Sequence, residues 1–81
     1  MRVTVIRSGG FAGIEKRGEG DTDRDPVLRR LVERVDLAAV PPPGRIPDQF
    51  TYEIHIGGDH AVVGEARLTG PLRELIRHVL S

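Results

Sequence analysis

Three histidines, His55, His60 and His78, are the side chains of this chain best suited to hold a metal ion. None belongs to a His-x-x-x-His pair, the spacing that places two rings on one face of a helix. A metal site would therefore need carboxylate ligands such as Glu53 or Asp59, and the sequence does not specify them. We expect His60 to point away from His55, and all three rings to be solvated surface groups rather than metal ligands.

Ser8 is the candidate nucleophile, because the two glycines after it could form a turn that presents its hydroxyl group. The chain has no Gly-x-Ser-x-Gly pattern, however, and neither a base nor an orienting acid follows at a known spacing. Ser8 is therefore predicted to be an ordinary turn residue.

Phosphate and calcium chemistry have equally little support in the sequence. Neither glycine pair, at 9–10 or 57–58, precedes a helix with the Lys or Gly spacing of a nucleotide-binding loop. The acidic stretch 21–25 lacks the calcium-loop pattern that ends in Glu. We predict that the protein is not an enzyme and has no cofactor.

The charge balance argues against a nucleic-acid partner. Twelve basic and twelve acidic side chains cancel, and the isoelectric point is about 6.8, whereas a nucleic-acid binder usually has a basic excess. Lys16 is the only lysine among these cations. The preference for arginine suits a protein interface, because the planar guanidinium pairs bidentately and stacks. It is equally explained by the codon usage of a GC-rich genome.

The absence of cysteine means that packing, without disulfides, must stabilise the fold. The first ten residues form a strand pattern and not an export signal. No apolar run reaches the roughly 20 residues that a membrane span needs. We expect a soluble, cytoplasmic protein with one small domain over residues 1–81.

The N-terminal part of the chain predicts a β-hairpin. Residues 2–8 are rich in β-branched side chains and form the first strand, 9–10 the turn, and 11–18 the returning strand. Two registers are open, since Ile14 can oppose either of two residues, Val5 and Ile6.

A solvated acidic loop at 18–24 leads to the first predicted helix. Asp25 can accept from free backbone N–H groups, and Pro26 suits the first helical position. The helix should end by about Ala39, because the prolines at 41–43 cannot continue it. Its apolar stripe follows helical spacing and comprises Val27, Leu28, Leu31, Val32 and Val35.

A proline-rich connector, 40–48, then leads to a second hairpin and helix. The connector is stiff, and serves either as a spacer or as an exposed docking element. Residues 49–57 alternate clearly as a strand, 57–59 turn the chain, and 61–68 return. The predicted register requires a loop with an odd number of residues and pairs Ile56 with Val62, Tyr52 with Ala66, and Phe50 with Leu68.

The stretch Thr69-Gly70-Pro71 starts the last helix, with Pro71 at its first position. Its apolar stripe consists of Leu72, Leu75, Ile76, Val79 and Leu80. The predicted order is therefore ββαββα. We predict an α+β fold of two layers, in which a four-stranded, mainly antiparallel sheet carries both helices on one face.

The motif RSGGFAGI at residues 7–14 resembles the emfourin family of small inhibitors. The likeness is strongest over residues 1–15, and the rest agrees in length, lack of cysteine and element order. The resemblance implies a bacterial, cytoplasmic inhibitor of thermolysin-like zinc metallopeptidases. It also implies no cofactor in the inhibitor itself, because the zinc belongs to the target enzyme. We expect the free protein to be a monomer.

The resemblance also implies candidate partner-binding residues. They are the motif residues Ser8, Gly9, Gly10, Phe11, Ala12 and Gly13. To these we add Arg45 and Ile46, which belong to the connector and not to the motif. Thermolysin-like enzymes favour bulky apolar side chains beside the scissile bond, so an exposed Phe11 or Ile46 would be an anchor. The alternative for Phe11 is core packing against the first helix. The expected mechanism is steric occlusion of the active-site cleft without chelation of the zinc.

A second class of function fits the same sequence. The chain would then be a non-inhibitory interaction module, for example a homo-oligomer that pairs through its sheet edge. Inhibition of a metallopeptidase, or its absence, separates the two classes.

Overall fold

The computed structural model describes residues 1–9, 15–41 and 49–81 of the chain. Its strands and helices are β1 (Arg2–Gly9), β2 (Lys16–Asp21), α1 (Pro26–Glu33), β3 (Phe50–Ile56), β4 (Asp59–Gly64) and α2 (Gly70–Leu80). Short 3-10 turns at Leu37–Ala39 and Glu65–Arg67 follow α1 and β4. This order confirms the predicted ββαββα arrangement and the α+β class.

The four strands form one sheet in the order β2-β1-β3-β4, and every neighbouring pair is antiparallel. β1 and β3 are the two central strands. Val3 and Val5 of β1 lie opposite Ile56 and Ile54 of β3, and all four side chains are buried. The pairing of these two apolar strands therefore places the core at the centre of the sheet.

The two helices cover one face of the sheet and close a single core. Asp25 caps α1 as predicted, accepting from the backbone N–H groups of Val27 and Leu28. α2 begins at Gly70, so Pro71 is its second residue, and Thr69 caps it by accepting from the backbone N–H of Leu72. The buried apolar residues come from both helices and three strands, and are Val3, Val5, Leu28, Tyr52, Ile54, Ile56, Val63, Leu72, Leu75, Ile76, Val79 and Leu80.

The first helix is shorter than the sequence suggests, because it ends at Glu33 and not near Ala39. A separate 3-10 turn follows, in which the Asp36 carboxylate accepts from the backbone N–H of Ala38 at 3.0 Å. A polar residue that caps a new turn competes with continuation of the helix. Val35, outside the helix, still packs against the core.

The predicted first hairpin is wrong in its turn and in its register. β1 continues through Gly9 because β3 pairs with it on its other side, so Ser8 lies in the strand opposite Thr51 and not in a turn. β2 begins at Lys16 and occupies part of the predicted loop 18–24. Neither open register is found, since Val5 lies opposite Gly18, and Ile6 opposite Arg17.

The register predicted for the second hairpin is also wrong. Ile56 pairs with Asp59 across a two-residue turn, so the partner of Tyr52 is Val63 and not Ala66. The tight turn is possible because Gly57 has a positive φ of 61°, which costs glycine little. β4 therefore ends at Gly64, and the predicted pairing of Phe50 with Leu68 does not form.

Candidate partner-binding surface

The glycine-rich motif and the proline-rich connector are the two predicted contact segments. The strand residues next to them, Gly9 and Phe50, lie side by side at one end of the sheet. Gly9, in the last position of β1, pairs with Phe50, the first residue of β3. Gly9 has a φ of 96°, and a Cβ atom built there would lie 2.9 Å from the backbone oxygen of Gln49. Gly9 thus allows a close approach of the two chains that a larger residue would disturb. We call this region, formed by Ser8, Gly9, Gln49 and Phe50, the sheet end.

Only two of the eight candidate site residues are among those that the structure describes. Ser8 is half-buried and Gly9 is exposed, both within β1. Gly10, Phe11, Ala12 and Gly13, together with Arg45 and Ile46, lie outside the described residues. Their role in binding, and the choice for Phe11 between core and interface, stay predictions.

Arg7 occupies the inward-facing position of β1 next to the sheet end. Its guanidinium carbon lies 4.5 Å from the centre of the Phe50 ring, a cation–π contact. Its Nε atom is fully buried and has no hydrogen-bond partner among residues 1–9, 15–41 and 49–81. A buried donor without a partner is energetically costly.

A cleft of about 440 Å³ opens beside Arg7 on the helix side of the sheet. Its apolar wall consists of Tyr52, Leu68, Ile76 and Leu80. The charged groups that line it are four cations and one carboxylate, namely Arg7, Lys16, Arg73, Arg77 and Glu65. We call this feature the basic cleft.

None of the four cations of the basic cleft forms an ion pair with a described carboxylate, which is also true of Arg24 and Arg30 elsewhere on the surface. By contrast, Arg17 contacts Glu19 at 2.8 Å, and Arg34 contacts Glu74 at 2.9 Å. What distinguishes the four is that they line one cleft. In a chain with no net charge, the cleft therefore concentrates positive charge next to the sheet end.

The opposite, open face of the sheet carries two of the histidines, and their predicted separation is wrong. His55 and His60 are cross-strand partners, and their rings stack with centroids 5.2 Å apart. The two-residue turn at 57–58 puts both side chains on the same face, which the predicted register did not. His55 Nε2 also lies 3.3 Å from Glu53 Oε1. Among the described residues, no group of three or more His, Cys, Asp or Glu side chains could hold a metal ion.

The third histidine joins the two helices. His78, near the end of α2, donates from Nε2 to Oδ2 of Asp25 at 2.7 Å, while Oδ1 of Asp25 caps α1. The sequence predicted the cap but not this partner, which is 53 positions away along the chain. The hydrogen bond from His78, and after it the one from the backbone N–H of Leu28, lowers the pKa of Asp25.

The Asp25–His78 contact makes the stability of the fold depend on pH. Because the pKa of Asp25 is lower in the folded state, the ionised carboxylate stabilises the fold above the ordinary value of 3.8. That stabilisation is lost as the pH falls through the lowered pKa. Urea unfolding at pH 5 and pH 2.5 should therefore show a steeper acid loss in the wild type than in D25N.

The matched comparison uses asparagine because it remains a good N-cap but carries no charge. H78Q should reduce the acid loss in the same way, and the double variant D25N/H78Q should differ little from D25N alone. Equal pH profiles for the wild type and D25N would show that Asp25 does not contribute to the acid loss of stability.

None of the helices in the described parts of the chain is long and apolar enough to cross a membrane. No curated protein matches the chain, and no solved structure matches it. A family model described as Emfourin matches residues 5–80, nearly the whole chain. The match extends over both hairpins and both helices, well beyond the glycine-rich motif that first indicated the resemblance. The chain therefore belongs to the Emfourin family, and this membership implies a general function of the protease-inhibitor type.

Proposed function

We propose that the protein inhibits thermolysin-like zinc metallopeptidases by placing the sheet end, with the segments that leave it, over the active-site cleft. The observation that carries the proposal is the pairing of Gly9 with Phe50. This pairing puts Gly9, which precedes the rest of the glycine-rich motif, beside Phe50, which follows the proline-rich connector. Both segments therefore adjoin the same end of the sheet, which supports contact with one partner.

The fold supports occlusion as the mechanism. Both central strands end at the sheet end and are hydrogen-bonded to neighbours along their length, so the segments leave from a fixed base. A fixed base reduces the conformational entropy that is lost on binding. It also hinders the segments from adopting the extended conformation that a peptidase requires for cleavage. The chain has no cysteine and hence no thiolate to offer to the zinc of the enzyme. Phe11 and Ile46 are the proposed apolar anchors.

The test is a titration of several thermolysin-like peptidases, assayed with a peptide substrate, against the purified protein. The wild type should inhibit at a stoichiometric or low micromolar level. F11A and I46A should raise the inhibition constant by about tenfold or more, since a buried anchor contributes about 2 kcal/mol or more to binding. V27A is the matched control, because Val27 is an apolar side chain that is 52% exposed on α1.

Thermal unfolding of the same variants separates the two roles of Phe11. An interface residue leaves the melting temperature unchanged while inhibition weakens. A core residue lowers the melting temperature by several degrees and leaves the inhibition by folded protein intact. No inhibition by the wild type at micromolar excess, across several such enzymes, would overturn the proposed function.

Size-exclusion chromatography at several concentrations tests the alternative of an interaction module. We propose that the free protein elutes as a monomer. An oligomer that persists on dilution and inhibits no peptidase would instead favour pairing through the sheet edge.

A further inference from the structure

We propose that the basic cleft binds a carboxylate group, and that this carboxylate is an acidic side chain of the peptidase held at the sheet end. The choice of a peptidase as the partner rests on the proposed function. The four cations of the cleft come from β1, β2 and α2, and of these elements only β1 also carries candidate contact residues.

The first reason is the electrostatic imbalance of the cleft. Four cationic side chains and one carboxylate line a volume of about 440 Å³, and no described carboxylate forms an ion pair with any of the four. Like charges held close together repel one another, and an anion placed between them relieves that repulsion. An anionic ligand is therefore attracted electrostatically by every cation in the cleft.

The second reason is the geometry of the donors. The guanidinium of Arg7 lines the cleft and is held against the Phe50 ring, with its central carbon 4.5 Å from the ring centre. Arg73 and Arg77 are four residues apart on α2, so their side chains project from the same helix face. Arginine donors are well suited to a planar carboxylate, which can accept two parallel hydrogen bonds.

The third reason is the apolar wall, which favours a carboxylate on an aliphatic stem over a fully hydrated inorganic anion. Tyr52, Ile76 and Leu80 are buried core residues whose surfaces also face the cleft. A Glu or Asp side chain can place its methylene groups on this wall and its carboxylate among the arginines.

The location identifies the source of the carboxylate as the partner protein. Arg7 lies two positions before Gly9 in β1, and its backbone partners are Lys16 and Tyr52. A protein that covers the sheet end would also cover the mouth of the basic cleft. Desolvation of the cleft by the partner would strengthen each charged hydrogen bond formed there.

The decisive variant is R73Q/R77Q, which removes two cations and keeps polar side chains that can donate hydrogen bonds. At low salt, its inhibition constant against a peptidase that the wild type inhibits should be about tenfold higher or more, since hydrogen bonds to charged groups are the strong ones. The salt dependence of inhibition should also become shallower, because fewer charges attract the partner.

R24Q/R30Q is the matched control, since it removes the same charge from two exposed positions that do not line the cleft. It should inhibit like the wild type. The melting temperature of free R73Q/R77Q should equal or exceed that of the wild type, because repulsion is relieved. A lower melting temperature would instead indicate that the arginines stabilise the fold.

A peptide titration tests the cleft without any peptidase. In ¹H–¹⁵N NMR spectra, N-acetyl-Leu-Glu-Leu-amide should shift the amide signals of Arg73 and Arg77, whereas the Gln analogue should not. If the Glu peptide shifted these amide signals but the protein inhibited no peptidase, the proposed function would be refuted. Binding of a carboxylate in the cleft would still be supported. Wild-type inhibition that R73Q/R77Q retains at the same strength and salt dependence would overturn the inference, as would equal shifts by both peptides.

Discussion

A Gly18→Ala variant should be much less stable than the wild type, although only one methyl group is added. Gly18 lies in β2, and a Cβ atom at this position would overlap the backbone carbonyl oxygen of Val79 in α2. A backbone atom cannot turn away as a side chain can, so the helix must move off the sheet. We expect a destabilisation of about 3 kcal/mol, at the upper end of the range for overpacking. In a domain of this size, that corresponds to a drop of roughly 12 to 24 °C in melting temperature.

Two other glycines provide matched controls for the same substitution. At Gly20 the added Cβ would lie 2.7 Å from Leu28 Cδ2, the end of a side chain that can change rotamer, so we expect a smaller loss of about 1 kcal/mol. At Gly58 nothing lies within 4 Å, and alanine should change stability by less than about 0.5 kcal/mol. Equal melting temperatures for all three variants would contradict the close approach of α2 to β2.

Gly18 and Gly20 also explain why the second half of β2 was predicted as a loop, whereas residues 16–18 belong to the predicted returning strand. The strand reads KRGEGD, and its inward positions, Gly18 and Gly20, lie under the helices where other strands carry Val or Ile. Strand prediction depends on alternation between apolar and polar side chains, and a glycine that packs through its backbone gives no such signal. The polar outward residues then made the segment resemble a solvated loop.

Elements with side-chain patterns were predicted well. The alternation in β3, the Asp25 cap and the apolar stripe of α2 are all confirmed. The register of the β3–β4 hairpin was predicted wrongly, because it depends on the backbone conformation of Gly57. Either a tight or a longer loop is compatible with the two glycines there, and the sequence does not distinguish them.

The candidate site was only partly accessible from the sequence. The motif directed attention to residues 8–13, but the basic cleft next to them was missed. One signal was available: Val3, Val5 and Arg7 share the inward face of β1, so an arginine had to lie under the helix layer. The approach of Arg73 and Arg77 from α2 depends on tertiary packing, which no local pattern contains.

The helix that carries those two arginines leads to the second large effect, expected for Leu75→Ala. Leu75 is completely buried between α2 and the sheet, and truncation leaves a cavity that the β-sheet cannot collapse to fill. We expect a loss of about 3 kcal/mol or more in the free energy of unfolding, measured by urea titration. A domain of this length is stabilised by roughly 4 to 12 kcal/mol in total, so the variant should be partly unfolded under mild heating.

Two further variants show whether the loss comes from cavity formation in the core. Leu75→Met keeps most of the volume and should cost less than about 1.5 kcal/mol. Val27→Ala removes apolar surface from an exposed position of α1 and should have little effect. Because Leu75 lies between Arg73 and Arg77 on α2, its truncation should also weaken binding of the Glu peptide at temperatures where the protein begins to unfold. If Leu75→Ala melted like Val27→Ala, α2 would not pack on the sheet as described, and the basic cleft would lose its helix wall.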